Sequence, residues 1–203
     1  MSVGRENYKH GQLKCKRTHE KGVLQGLVTA YYENGQVSDE AVYKDGKIEG
    51  PVKHYYPNGK LKTEKVLKAG RLAGAVKTYY ENGQLQKEEV WRGCHLEGPS
   101  RMYYENGQLS SESFFKNGTR WGPVKWYYAS GQLQEEKFYR NGRQHGLARK
   151  YSKTGQLQRE EVWEDGVREN QFREYDGQAM VLREKEAKTT ARPGRDGNRL
   201  ETR

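Results

Sequence analysis

Along most of this chain, strand-favouring apolar and aromatic residues are interleaved with charged ones, and the pattern restarts every 24 residues. The stretch 51–74, PVKHYYPNGKLKTEKVLKAGRLAG, holds two such extended segments, divided by Asn58-Gly59 and closed by a second turn around Ala69-Gly70. Tyr, Val, Trp and Phe fill the flanks, and their bulk packs well on a pleated surface. No apolar stripe of helical period competes within the repeats. Each unit is therefore predicted to be a β-hairpin.

Three glycine columns fix the period. Gly11, Gly35, Gly59, Gly83, Gly107, Gly131 and Gly155 keep one constant step, and columns through Gly22 and Gly26 keep the same step. Repetition at this spacing marks stacked units rather than a domain around one core. Asn-Gly is the strongest short hairpin signal, because a tight primed turn needs positive φ.

A two-residue turn at Asn58-Gly59 places Tyr56 opposite Leu61 and Lys53 opposite Glu64. The same register pairs Lys77 with Glu88, Arg101 with Glu112, Lys125 with Glu136 and Arg149 with Glu160. Each exposed pair contributes no more than about 0.2–1 kcal/mol, so these pairs specify register more than they stabilise. A three-residue loop with a bulge is the second reading, and would break the direct pairings. The predicted fold is all-β: about seven tandem hairpins forming one elongated, twisted antiparallel sheet, roughly 65–70 Å long before twist.

The ends of the array differ from its middle. Residues 1–26 read as an N-terminal capping repeat, with Thr18 and His19 where later units are apolar. The array proper runs over 27–170. Residues 171–186 read as a C-terminal capping hairpin turning at Asp176-Gly177, and 187–203 as a disordered basic tail.

Composition narrows the picture further. Only 33% of residues are hydrophobic and mean hydropathy is −1.20, close to the disordered class; the 15 Tyr and 4 Trp, most of them in register with the repeat, argue for order. Aromatic ladders are expected to replace a thick core. No apolar leader opens the chain and no long apolar span follows, while Cys15 and Cys94 occupy unrelated repeat positions; together these point to the cytoplasm. The net charge of +10 admits a weak contact with an anionic membrane or nucleic acid, although no Lys/Arg block occurs inside the repeats.

The unit Y-Y-x-N-G-Q-L-x-x-E-x-x-Y-x-[DN]-G-x-x-x-G, seen from Tyr31 to Gly50 and from Tyr103 to Gly122, resembles the MORN repeat. More closely it is similar to the variant in bacterial YwqK-type antitoxin proteins. That resemblance covers about residues 8–170 and implies an immunity protein that neutralises a cognate toxin by direct contact. The alternative it leaves open is a MORN-type scaffold, or a protein that binds anionic phospholipid or nucleic acid. The chain departs from the pattern at Gly93-Cys94, at Leu67-Lys68-Ala69 and at Asn170.

Candidate chemistry is sparse. The five histidines fall in different repeat columns and show no metal-ligand spacing. Cys94-His95 would point to opposite sides of a strand, a poor nucleophile–base couple. The recurrent glutamates have cationic partners, and the glycine turns lack a phosphate-loop context. The expectation is a non-enzymatic protein with no cofactor, no metal and no small-molecule substrate. Partner discrimination is expected at positions that vary between repeats, namely His54, Met102 and Trp126, beside Tyr104 and Tyr128. Trp121 and Trp126, with Arg120 and Lys125, form the stretch most like an interface hot spot.

Overall fold

The computed structural model describes residues 1–177 and 179–184. Every regular element among them is a strand: eighteen in one antiparallel sheet, from Ser2–Asn7 to Ala179–Glu184. Pairing is a plain meander in which each strand bonds its neighbours in sequence. At Gln25 and Trp121 a two-residue segment precedes the main strand, and both stay bonded to the preceding long strand. The predicted tail lies outside the described residues.

The two kinds of turn exchange the roles that the sequence suggests. Asn58-Gly59 does not make a two-residue turn. The Gly59 N–H donates to the Tyr56 carbonyl, and the Tyr56 N–H donates to the Lys60 carbonyl, enclosing three loop residues. Only Gly59 has positive φ there (+82°), which is the three-residue loop with a glycine bulge. Asn58 instead accepts the Lys60 N–H through Oδ1 at 3.0 Å, so its side chain and not its backbone makes the turn. The tight primed turns lie at the other glycine column. Asp45 and Gly46 both have positive φ (50° and 75°) and connect Lys44 directly to Lys47. At Gly93-Cys94 the glycine comes first and alone has positive φ (64°), the II′ arrangement, so the departure from Asn/Asp-Gly is accommodated.

Register is nevertheless as expected at the charges. Tyr55, rather than Tyr56, faces Leu61, and one further bulge then restores His54 opposite Thr63 and Lys53 opposite Glu64. Two irregularities of one residue cancel. The terminal hairpin pairs Asp176 with Ala179, so Asp176 ends the strand and is not in the turn as the sequence suggests.

Lateral bonds weld successive hairpins. Tyr8 and the second tyrosine of each later pair (Tyr32, Tyr56, Tyr80, Tyr104, Tyr128) donate their hydroxyls to the carbonyl 23 residues on, at 2.6–2.9 Å. Asn34, Asn58, Asn82 and Asn106 do the same from their amides. Burial is thin: Val124 (1% exposed), Ala148 and Val52 lie in one row of the back face, with Ser100 and Ser113 in the same row.

Two substitutions test this construction. Tyr80→Phe removes one lateral hydroxyl bond and should lower stability by about 1 kcal/mol in urea unfolding, since a half-buried carbonyl loses its donor. Gly98→Ala should cost about 1–3 kcal/mol although a Cβ would meet nothing within 4 Å, because φ is +86° there.

Candidate functional site

The front face is ruled by three parallel rows. The central one runs Glu40, Lys53, Glu64, Lys77, Glu88, Arg101, Glu112, Lys125, Glu136, Arg149, Glu160, Arg173, strictly alternating in sign across twelve strands. Arg149 lies 3.4 Å from Glu136 and 2.8 Å from Glu160, and Arg173 reaches Glu160 at 2.7 Å. The hydrogen bond from Arg149, helped by Arg173, holds the Glu160 carboxyl below the usual carboxylate range against the opposing effect of burial.

Beside it runs the first tyrosine of each pair. Tyr55 donates to Glu40 and Tyr79 to Glu64, each at 2.7 Å. Burial, reinforced by those carboxylates, pushes both phenols up to about 12.

The third row is apolar and was missed by the sequence reading. It consists of six cross-strand pairs: Leu27–Val42, Pro51–Val66, Ala75–Val90, Pro99–Phe114, Pro123–Phe138 and Leu147–Val162. The signal was present, since both positions are apolar in all six units. It was hidden because columns this regular read as sheet-building positions. Proline is tolerated here because pairing with the preceding strand is interrupted at this level: Ala41 pairs Val52 and Tyr43 pairs Ile48, with no partner for Pro51. Nothing among the described residues covers the row. Leu27, Val66, Phe138 and Leu147 are 49%, 44%, 39% and 36% exposed.

Trp121 widens this row. Its indole is 44% exposed and stands between a hollow of about 660 Å3 lined by Val90, Pro99 and Phe114 and a second bordered by Phe138 and Leu147. Lys116 places its ammonium 5.6 Å from the ring. The equivalents of Trp121 have another duty. Gln25 and Glu97 accept the backbone N–H of Asp45 and Asn117 in the next tight turn at 2.7 and 2.8 Å, and Glu49 serves Ala69 likewise. An indole cannot accept that bond, so Trp121 gives up a turn cap for an exposed aromatic surface.

The structure separates the residues that the sequence grouped. Trp126 is on the back face, between Ser111 and Glu135, with the Lys137 ammonium 5.3 Å from its ring. Met102 shares that row, also opposite Ser111, and is 45% exposed. His54 lies in the same row and is engaged by Asp39. Burial works to raise the Asp39 carboxyl, but hydrogen bonds from Ser38 and His54 and the His54 charge together lower it. Arg120 is on the back face too, over Phe115 and Tyr139 at 5.8 and 5.7 Å. Lys125 belongs to the front charged row, opposite Glu112 and Glu136. Tyr104 and Tyr128 are spent on lateral bonds. Trp121 and Trp126 therefore lie on opposite faces of the sheet.

A repeated single-layer hairpin sheet with exposed rows defines a repeat scaffold or binding protein. Six stretches, 24–45, 48–68, 72–92, 96–117, 122–141 and 144–165, match the family described as MORN repeat variant. The chain belongs to that family. No curated protein matches it.

The tyrosine–carboxylate contacts carry a pH signature. Tyr55 and Tyr79 favour the neutral phenol in the folded chain, so their contribution is intact below the ordinary tyrosine value of 10.0 and is lost as pH rises towards about 12. Burial raises Tyr56, Tyr103, Tyr127 and Tyr151 as well, so absorbance at 295 nm should show a late-ionising phase that Tyr55→Phe/Tyr79→Phe reduces without abolishing.

Proposed function

We propose that this chain is a non-enzymatic protein-binding scaffold that acts in the cytoplasm and neutralises a partner toxin by direct contact. The apolar row of the front face carries the binding part of this reading. A contiguous exposed apolar strip is uncommon on a protein that works alone, and marks a docking surface. From Leu27 to Val162 the row crosses twelve strands, about 53 Å at ~4.8 Å per strand. The neighbouring charged row is internally neutralised, so it neither attracts nor repels by net charge. The fitting partner is a protein with an extended apolar ridge, seated on Trp121, Phe138 and Leu147. The toxin identity of that partner rests on the resemblance to YwqK-type antitoxin proteins.

The test is co-expression with the protein encoded beside this gene, followed by size exclusion and a growth assay. A discrete complex and rescue of growth are expected. Phe138→Asp/Leu147→Asp should leave the fold intact, because both side chains are already exposed, and weaken the complex by about 2 kcal/mol or more. Loss of binding on Trp126→Ala, with none on the front-face variant, would move the interface to the back face. Absence of any complex would remove the antitoxin reading.

A further inference from the structure

We propose that the sheet edge formed by the tight turns is a binding ridge for single-stranded nucleic acid. Three of these turns set like charges directly opposite one another: Lys44 with Lys47, Lys68 with Arg71, and Arg140 with Arg143. Arg92 and Lys116 occupy equivalent places in the two turns between. Across residues 44–47, 68–71, 92–95, 116–119 and 140–143 there are eight basic residues against one acid, Asp45, a net +7 in a chain of +10. All eight are exposed. Arg140 lies 3.0 Å from Asp165; among the described residues none of the other seven makes an ion pair.

Folding does not ask for this arrangement. Like charges directly opposite across a hairpin are destabilising. The same chain alternates sign without error through the twelve positions of its front row, and its long-loop edge balances Glu33, Glu81 and Glu105 against Lys9, Lys60 and Lys153. The five central tight turns accumulate one sign; the two outer ones carry Glu20 with Lys21 and Glu164 with Asp165.

The ridge is also held at fixed pitch. The turn amides of Gly118 and Gly142 donate to the carbonyls of Leu96 and Arg120 at 2.9 and 3.0 Å, so the last three turns of the ridge stack about 10 Å apart, two strand spacings. A backbone of phosphates meets an ordered line of cations with little reorganisation.

The feature that selects nucleic acid over a flat anionic membrane lies between two turns. Lys116, Asn117, Thr119, Trp121 and Asn141 line a hollow of about 360 Å3. An exposed indole offers a stacking platform for any base, and two amide side chains can pair with base edges. The turn tips themselves are Asp-Gly, Ala-Gly, Gly-Cys, Asn-Gly and Asn-Gly, with no large apolar group to enter a bilayer. The ridge shares Trp121 with the front-face row, but its basic residues lie outside that row, so the charge variants test it apart from the protein-binding reading.

The experiment is fluorescence anisotropy of the full chain with a fluorescein-labelled 20-nucleotide DNA or RNA of mixed sequence. With six phosphates neutralised at about −0.7 each in the log–log salt slope, affinity should fall roughly 300-fold between 50 and 200 mM salt. Lys68→Glu/Arg71→Glu should weaken binding at least tenfold and flatten the slope. Lys9→Glu/Lys153→Glu, the same charge change on the opposite edge, should alter it less than threefold. Trp121→Ala should cost about tenfold without flattening the slope. Equal losses in the two charge variants would overturn the ridge. Overturning the choice of ligand requires either no effect of Trp121→Ala, or binding to phosphatidylserine vesicles with none to the oligonucleotide. Each variant keeps Phe138 and Leu147, so a toxin complex that survives in the ridge variant separates the two surfaces.

Discussion

A sheet one layer thick has nothing behind it, and that constraint governs the rest of this molecule. A buried core would supply cohesion without direction; here each hairpin must be joined sideways to the next by bonds that do have direction. The tyrosine hydroxyl that reaches the carbonyl 23 residues on is the recurrent joint, present from Tyr8 to Tyr128. Ser152 stands where the next tyrosine would be, and its hydroxyl turns inward to its own loop, accepting the N–H of Thr154 and of Gln156. The ladder ends where the side chain becomes too short to reach.

Because cohesion is lateral, the two faces and two edges are released for other uses. On the front face the charges obey the sheet: every carboxylate from Glu64 to Glu160 sits between two cations, and the row adds no net field. The apolar row beside it is left open, and the tight-turn edge carries the surplus positive charge. Trp121 stands where open row and charged edge meet, in the place of a turn-capping Gln or Glu. A position that gives up a structural bond in this way is shaped by something other than folding.

Much of the fold was legible because repetition multiplies weak signals. One Lys opposite one Glu says little, but five in a single register are decisive, and the structure pairs Lys53 with Glu64. Turn type was misjudged for a local reason. Asn-Gly serves both a primed turn through its backbone and a bulged loop through its side chain, and the amide of Asn58 reaching the next loop at Glu81 settles it only once that loop is in place. The error left the charge register unchanged because a second bulge compensates, a cancellation that no single unit reveals.

Function was less legible, since interface residues are defined by which side of the sheet they share. Trp121 and Trp126 are close in sequence and look like one patch, yet their odd separation on alternating strand backbone puts them on opposite faces. The apolar columns through Pro51 and Val66 repeat too faithfully to look like a site. The sequence by itself determined period, hairpin architecture and cross-strand charge order, all of which depend on local chirality and nearest neighbours. Tertiary structure alone decided which columns remain uncovered, where like charges meet and which aromatics are spent on lateral bonds. Those depend on what lies beside a residue one repeat away, 23 or 24 positions along the chain.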